Sequence, residues 1–143
     1  MTVLNEIDFW RRELVEKKFI LVVDDDAGTR LTIKKFLEFS RVAQFEIVEA
    51  AEGSEALKAV QECGRLDLIL LDIEMPDMDG FEVCRTIRET DSAVPIIFVT
   101  AHADLGHRIQ GREAGGDSFL AKPIKEAPLL SLVKLFLNAS RHR

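Results

Sequence analysis

Four apolar runs in this chain each end in a polar residue suited to phosphate or metal. Phe19-Ile20-Leu21-Val22-Val23 leads into Asp24-Asp25-Asp26, Leu68-Ile69-Leu70-Leu71 into Asp72, Pro95-Ile96-Ile97-Phe98-Val99 into Thr100, and Asp117-Ser118-Phe119-Leu120-Ala121 into Lys122-Pro123. If the runs are neighbouring parallel strands, three carboxylates, a hydroxyl and an ammonium meet beyond the carboxyl ends of a sheet, where open parallel sheets bind ligands. Packed carboxylates raise one another's pKa unless a cation neutralises them, so a metal is expected. Oxygen donors without imidazole or thiolate select a hard ion. Mg²⁺ fits, because it takes one or two carboxylates and keeps waters elsewhere, with Mn²⁺ as a substitute. Asp25 and Asp72 are the expected direct ligands and Asp24 a ligand through water. Thr100 can donate a hydrogen bond to one phosphoryl oxygen while Lys122 places a compact charge on another. Asp72 is left as the nucleophile. A carboxylate accepts a phosphoryl group as an acyl phosphate without a general base, since positioning and charge neutralisation do most of the work. Water attacking in line would slowly reverse the step.

The elements that must position these groups alternate along the chain. Apolar runs near residues 19–24, 44–49, 67–72, 95–99 and 117–121 are separated by segments long enough for a helix, as parallel strands require. The second run, Gln44-Phe45-Glu46-Ile47-Val48-Glu49, alternates polar with apolar and is placed at an edge. Asp79 can cap a helix beginning Gly80-Phe81, with Glu82 three places on, and Gly115-Gly116 closes the helix before the last strand. The 143 residues, 47% of them hydrophobic, suffice for one core. A net charge of -6 without clustered Lys and Arg argues against direct nucleic-acid binding. Cys63 and Cys84 stand alone and read as packed or partly exposed thiols. No apolar stretch approaches the ~18 residues of a membrane span and the N-terminus is too charged for a signal peptide, so a cytoplasmic protein is expected.

Val23-Asp24-Asp25-Asp26, Leu71-Asp72-Ile73-Glu74-Met75-Pro76-Asp77-Met78-Asp79-Gly80, Val99-Thr100-Ala101 and Ala114-Gly115-Gly116-Asp117-Ser118-Phe119-Leu120-Ala121-Lys122-Pro123 together resemble, in order, the motifs of response regulator receiver domains of two-component signalling systems. The resemblance covers about residues 19 to 138. It implies an α/β fold of the flavodoxin-like type: a doubly wound, five-stranded parallel sheet of order 2-1-3-4-5 with five helices. It makes Asp72 the phosphoacceptor, Asp24 and Asp25 the acidic pair, Glu74 a metal ligand through its backbone carbonyl, Thr100 the switch hydroxyl and Lys122 the phosphate-binding lysine. Pro123 would follow a cis peptide bond. The expected organisation is an amphipathic helical extension over 1–18, a receiver domain over 19–138 and a tail over 139–143.

The same resemblance places Phe119 where family members often carry a switch aromatic, here without the hydroxyl a Tyr would supply. Glu74 and His102, two residues past Asp72 and Thr100, flank the path of attacking water and are expected to tune acyl-phosphate lifetime. Asp26 reads as a solvated loop carboxylate, Asp77 and Asp79 as turn and helix-start residues. His107 and His142 have no visible partner. The stripe Leu4, Ile7, Trp10 and Leu14 of the extension is expected to fold back on the domain, with pairing to a second copy, a homodimer, as the alternative.

The implied function is a phosphorylation-dependent switch. A histidine kinase or histidine phosphotransfer protein would donate to Asp72, and the shifted surface, around residues 104 to 138, would be read by a downstream protein or an attached output domain. Such switches couple by ~1–3 kcal/mol. Two alternatives come from other classes. Asp24-Asp25-Asp26-Ala27-Gly28-Thr29 resembles the D-x-D-G-T motif of haloacid-dehalogenase phosphatases with one residue too many, and an interaction module could keep the fold without being phosphorylated. The chain ends soon after the last expected helix, consistent with a stand-alone regulator or a piece of a longer one.

Overall fold

The computed structural model describes residues 17–140. The expected extension, apart from its last two residues, lies outside them, as does His142. Five strands alternate with five helices among the described residues: β1 (Lys18–Val23), α1 (Ala27–Phe39), β2 (Phe45–Ala50), α2 (Gly53–Glu62), β3 (Leu68–Leu71), α3 (Gly80–Thr90), β4 (Ile96–Thr100), α4 (Leu105–Ala114), β5 (Ser118–Ala121) and α5 (Glu126–Ser140). The strands form one parallel sheet of order β2-β1-β3-β4-β5. This is the doubly wound arrangement expected, with β2 at one edge.

Period-two alternation divides the inner strands into two apolar faces. Leu21, Val23, Ile69, Leu71, Ile96 and Phe98 pack with Ala56 of α2, Val83, Cys84 and Ile87 of α3, and Ala114 of α4. Ile20, Val22, Leu68, Leu70, Ile97 and Val99 pack with Ile33 and Leu37 of α1 and Leu129, Val133 and Leu137 of α5. Both faces are therefore sealed by helices, which explains the unbroken apolar runs. The Cys84 thiol is part of the first face; burial pushes it up to about 11, and it donates to the Ala114 carbonyl at 3.3 Å, so it is an inert packed group.

The helices start where side chains can satisfy their free N–H groups. Asp26 caps α1 by accepting from the Gly28 and Thr29 N–H groups. Asp79 caps α3 through the Glu82 N–H, and Asp104 caps α4 through that of His107. Gly115 ends α4 in the left-handed region at φ 104°, where a side chain would be strained. Its carbonyl accepts from Arg88 Nε, while Arg88 Nη2 bonds Asp117 Oδ2 at 3.0 Å and so ties the end of α3 to the entry of β5.

Candidate functional site

Strands β1, β3 and β5 each stop one residue short of a functional side chain, and the ladder continues through that residue's backbone. The Asp24 N–H donates to the Ala50 carbonyl, Asp72 N–H to Val23 and Lys122 N–H to Thr100. Thr100 itself is paired with Ala121. The side chains are thus carried in sheet register rather than by mobile loops. They converge on a cleft of about 390 Å³ whose lining includes Asp25, Asp72, Glu74, Thr100, His102 and Lys122.

Asp24, Asp72 and Thr100 are buried polar side chains, whereas Asp25 is exposed at the cleft mouth. Carboxylate oxygens of Asp24, Asp25 and Asp72 lie within 4.8 Å of one another. Burial, followed by the charge of Asp24, pushes the Asp72 carboxyl up to about 6 against the opposing pull of Lys122. The Lys122 Nζ stands 2.7 Å from Asp24 Oδ2 and 3.4 Å from Asp72 Oδ2. Burial alone would lower the ammonium's pKa, but contact with Asp24 and the charges of Asp72 and Asp24 outweigh it and hold it above its ordinary value.

Asp24 Oδ2 is the decisive atom for a metal. It is buried, pairs with the Lys122 ammonium at 2.7 Å and has no neutral hydrogen-bond donor. Asp24 Oδ1, in contrast, accepts from the Asp26 N–H at 2.9 Å. A buried carboxylate oxygen without a neutral donor, beside two further carboxylates and with oxygen ligands only, fits a hard divalent cation.

Two pairs frame the mouth. His102 Nε2 lies 2.6 Å from Glu74 Oε1, joining the residues two past Asp72 and Thr100. The Thr100 hydroxyl oxygen accepts from the His102 N–H at 3.0 Å. Behind them the His102 ring stacks on His107 with centroids 5.3 Å apart, and His107 Nδ1 is 2.7 Å from Asp104 Oδ2. His107 therefore has the partner its sequence surroundings did not suggest; the helix-cap spacing of Asp104 was the available signal.

Phe119 stands apart from the cleft, partly buried against Phe98 at 5.1 Å between centroids and over the Cα of Gly111. The Lys122–Pro123 peptide bond is cis, as the motif implied. Asp26 stays at the surface as a helix cap, its pKa held low first by the Thr29 hydroxyl and then by the Gly28 N–H. That position makes it a helix cap and leaves it outside the Asp24, Asp25 and Asp72 group.

The model of the response regulator receiver domain family matches residues 20–134. The transcriptional regulatory protein PrrA of Mycobacterium tuberculosis is 39% identical over 119 residues, covering 83% of this chain and 49% of PrrA. ResD of Bacillus subtilis is 45% identical over 119 residues, covering 83% of this chain and 48% of ResD. The chain thus spans about half the length of these relatives. Among solved structures, a CheY-like receiver domain protein from Methanospirillum hungatei JF-1 superposes with a TM-score of 0.79 at 31% identity, covering 89% of this chain and 98% of that one. The BeF3-activated DrrB receiver domain gives 0.74 at 30% identity, covering 86% and 99%.

Proposed function

The chain belongs to the response regulator receiver domain family, and from that premise we propose that residues 19–138 act in the cytoplasm as a phosphorylation switch whose phosphoacceptor is Asp72. The observation that supports this most is the meeting of Asp24, Asp25 and Asp72 carboxylate oxygens with the Lys122 ammonium beside Asp24 and Asp72. Asp24, Asp25, Asp72 and the backbone carbonyl of Glu74 would hold Mg²⁺, which when bound supplies positive charge against the phosphoryl oxygens.

An Asp72 carboxylate oxygen attacks the phosphorus of a phosphohistidine on a histidine kinase or phosphotransfer protein. A P–O bond forms, the P–N bond breaks, and the imidazole leaves with its electron pair. Lys122 neutralises the charge on one phosphoryl oxygen, and the Thr100 hydroxyl, turning away from its bond with the His102 N–H, donates to another. That turn releases the loop after β4 and is the differential contact that shifts the surface of α4, β5 and α5. Leu105, Ile109 and Leu135 are exposed large apolar residues on α4 and α5 and suit a downstream protein or an attached output domain. Water attacking the phosphorus later returns the carboxylate and releases phosphate.

Acetyl phosphate with Mg²⁺ is expected to label the wild-type protein with a hydroxylamine-labile phosphoryl group, and Asp72→Asn is expected to remove the label. Labelling that persists in Asp72→Asn, or none in the wild type, would overturn the reading.

A further inference from the structure

The loop that carries Glu74 is fastened to a helix far away in sequence. Asp77 accepts from three backbone N–H groups, each at 2.9 Å: Gly53 and Ser54 at the start of α2, and Met78 beside it. The Ser54 and Gly53 bonds, in that order, pull its carboxyl down to about 2. Helix α2 has no N-cap of its own, because the Glu52 side chain at its N-cap position bonds the Ser54 hydroxyl at 3.1 Å and accepts from no backbone N–H of the helix. The Met78 side chain lies where a Cβ on Gly53 would stand, so residue 53 admits the loop only as glycine.

The loop is also fixed at both ends. The Asp72 N–H donates to the Val23 carbonyl, the Gly80 N–H donates to the Ile73 carbonyl at 2.7 Å, and a Cβ on Gly80 would strike the Asp72 carbonyl. Between those ends Asp77 is the loop's hydrogen-bonded attachment to another element. We propose that Asp77 is a positioning residue for the metal site: by binding the start of α2 it sets the path of residues 73–78, and so where the Glu74 carbonyl points. This rests on the metal reading given above and adds to it a residue that touches neither metal nor phosphate.

Capping a helix and aiming a carbonyl are separable. Asp77→Ala should remove both. Adding Glu52→Asp to it gives α2 a cap of its own without reattaching the loop. The readouts are melting temperature without metal and Mg²⁺ affinity by titration calorimetry on the unphosphorylated protein. Asp77→Ala is expected to melt lower and to bind Mg²⁺ about tenfold more weakly, the lower end of what partners behind metal ligands contribute. The double variant is expected to regain melting temperature but not affinity. If Asp77→Ala does not fold, Asp77→Asn keeps one accepting oxygen and is expected to bind with intermediate affinity. Wild-type affinity in the single variants, or affinity regained through Glu52→Asp, would overturn the positioning role alone. A wild-type protein that binds no Mg²⁺ would overturn it together with the metal reading.

Discussion

His102 Nε2 and Glu74 Oε1, 2.6 Å apart, close into one bridge at the rim of the Asp72 cleft. The two side chains expected to tune the acyl phosphate therefore meet as one pair.

Replacing either by alanine opens the same gap, so each change is expected to shorten the acyl-phosphate lifetime several-fold, and the double change by little more than either alone. Coupled residues behave non-additively in this way. Timing phosphate release from labelled protein is the measurement. Unaltered lifetimes would mean that both are simply solvated rim residues.

Asp72 makes the metal-free protein sensitive to pH. Its folded-state pKa, about 6, lies above the unfolded value of 3.8, so ionisation opposes folding. The stability it contributes is whole below about pH 4 and is lost as pH rises through about 6, up to ~3 kcal/mol for a shift of this size. Asp72→Asn in EDTA is accordingly expected to be more stable than wild type near pH 7, with the difference vanishing at about pH 4. Denaturant titrations at several pH values decide it; a constant difference would refute the assignment.

Lys122 occupies the space beside Asp24 that a cation would compete for. In Lys122→Met, Mg²⁺ is expected to bind several-fold more tightly, while metal-free stability falls because the buried carboxylates lose their partner. The phosphorylated variant should show no shift of the α4, β5 and α5 surface in backbone amide spectra. Weaker Mg²⁺ binding would show that the ammonium assists the metal instead.

Gly111 sits inside α4, where alanine normally favours a helix by about 1 kcal/mol. Here an added Cβ would meet the Phe119 ring and come within 3.0 Å of the fully buried Phe98. Overpacking of this kind costs ~1–3 kcal/mol. Gly111→Ala is thus expected to destabilise and to push Phe119 outward, seen as lost ring contacts between Phe98 and Phe119. A gain in stability would sink it.

The sequence reached the sheet order, the edge position of β2 and the gathering of Asp24, Asp25, Asp72, Thr100 and Lys122, because buried parallel strands and their polar ends are local patterns tied to a recognisable motif. Strand bounds moved by a residue: β1 begins at Lys18 and β2 ends at Ala50. What the pattern did not carry were contacts between residues distant in the chain. Asp77 reads as a turn residue until Gly53 and Ser54 are brought to it across 24 and 23 positions. Asp26 reads as a loose loop acid until the following segment turns helical and gives it N–H groups to hold. Glu74 and His102 were each placed correctly at the cleft, but their bond depends on the distance between β3 and β4.

Strand ends carry the reaction centre, and helices wall off both sheet faces beneath it. The outward sides of those helices are consequently under no chemical obligation. On the proposed function, substitutions there would redirect the molecule to a new sender or a new listener and leave the phosphoryl chemistry untouched, so a single reactive device would serve many separate conversations without being rebuilt.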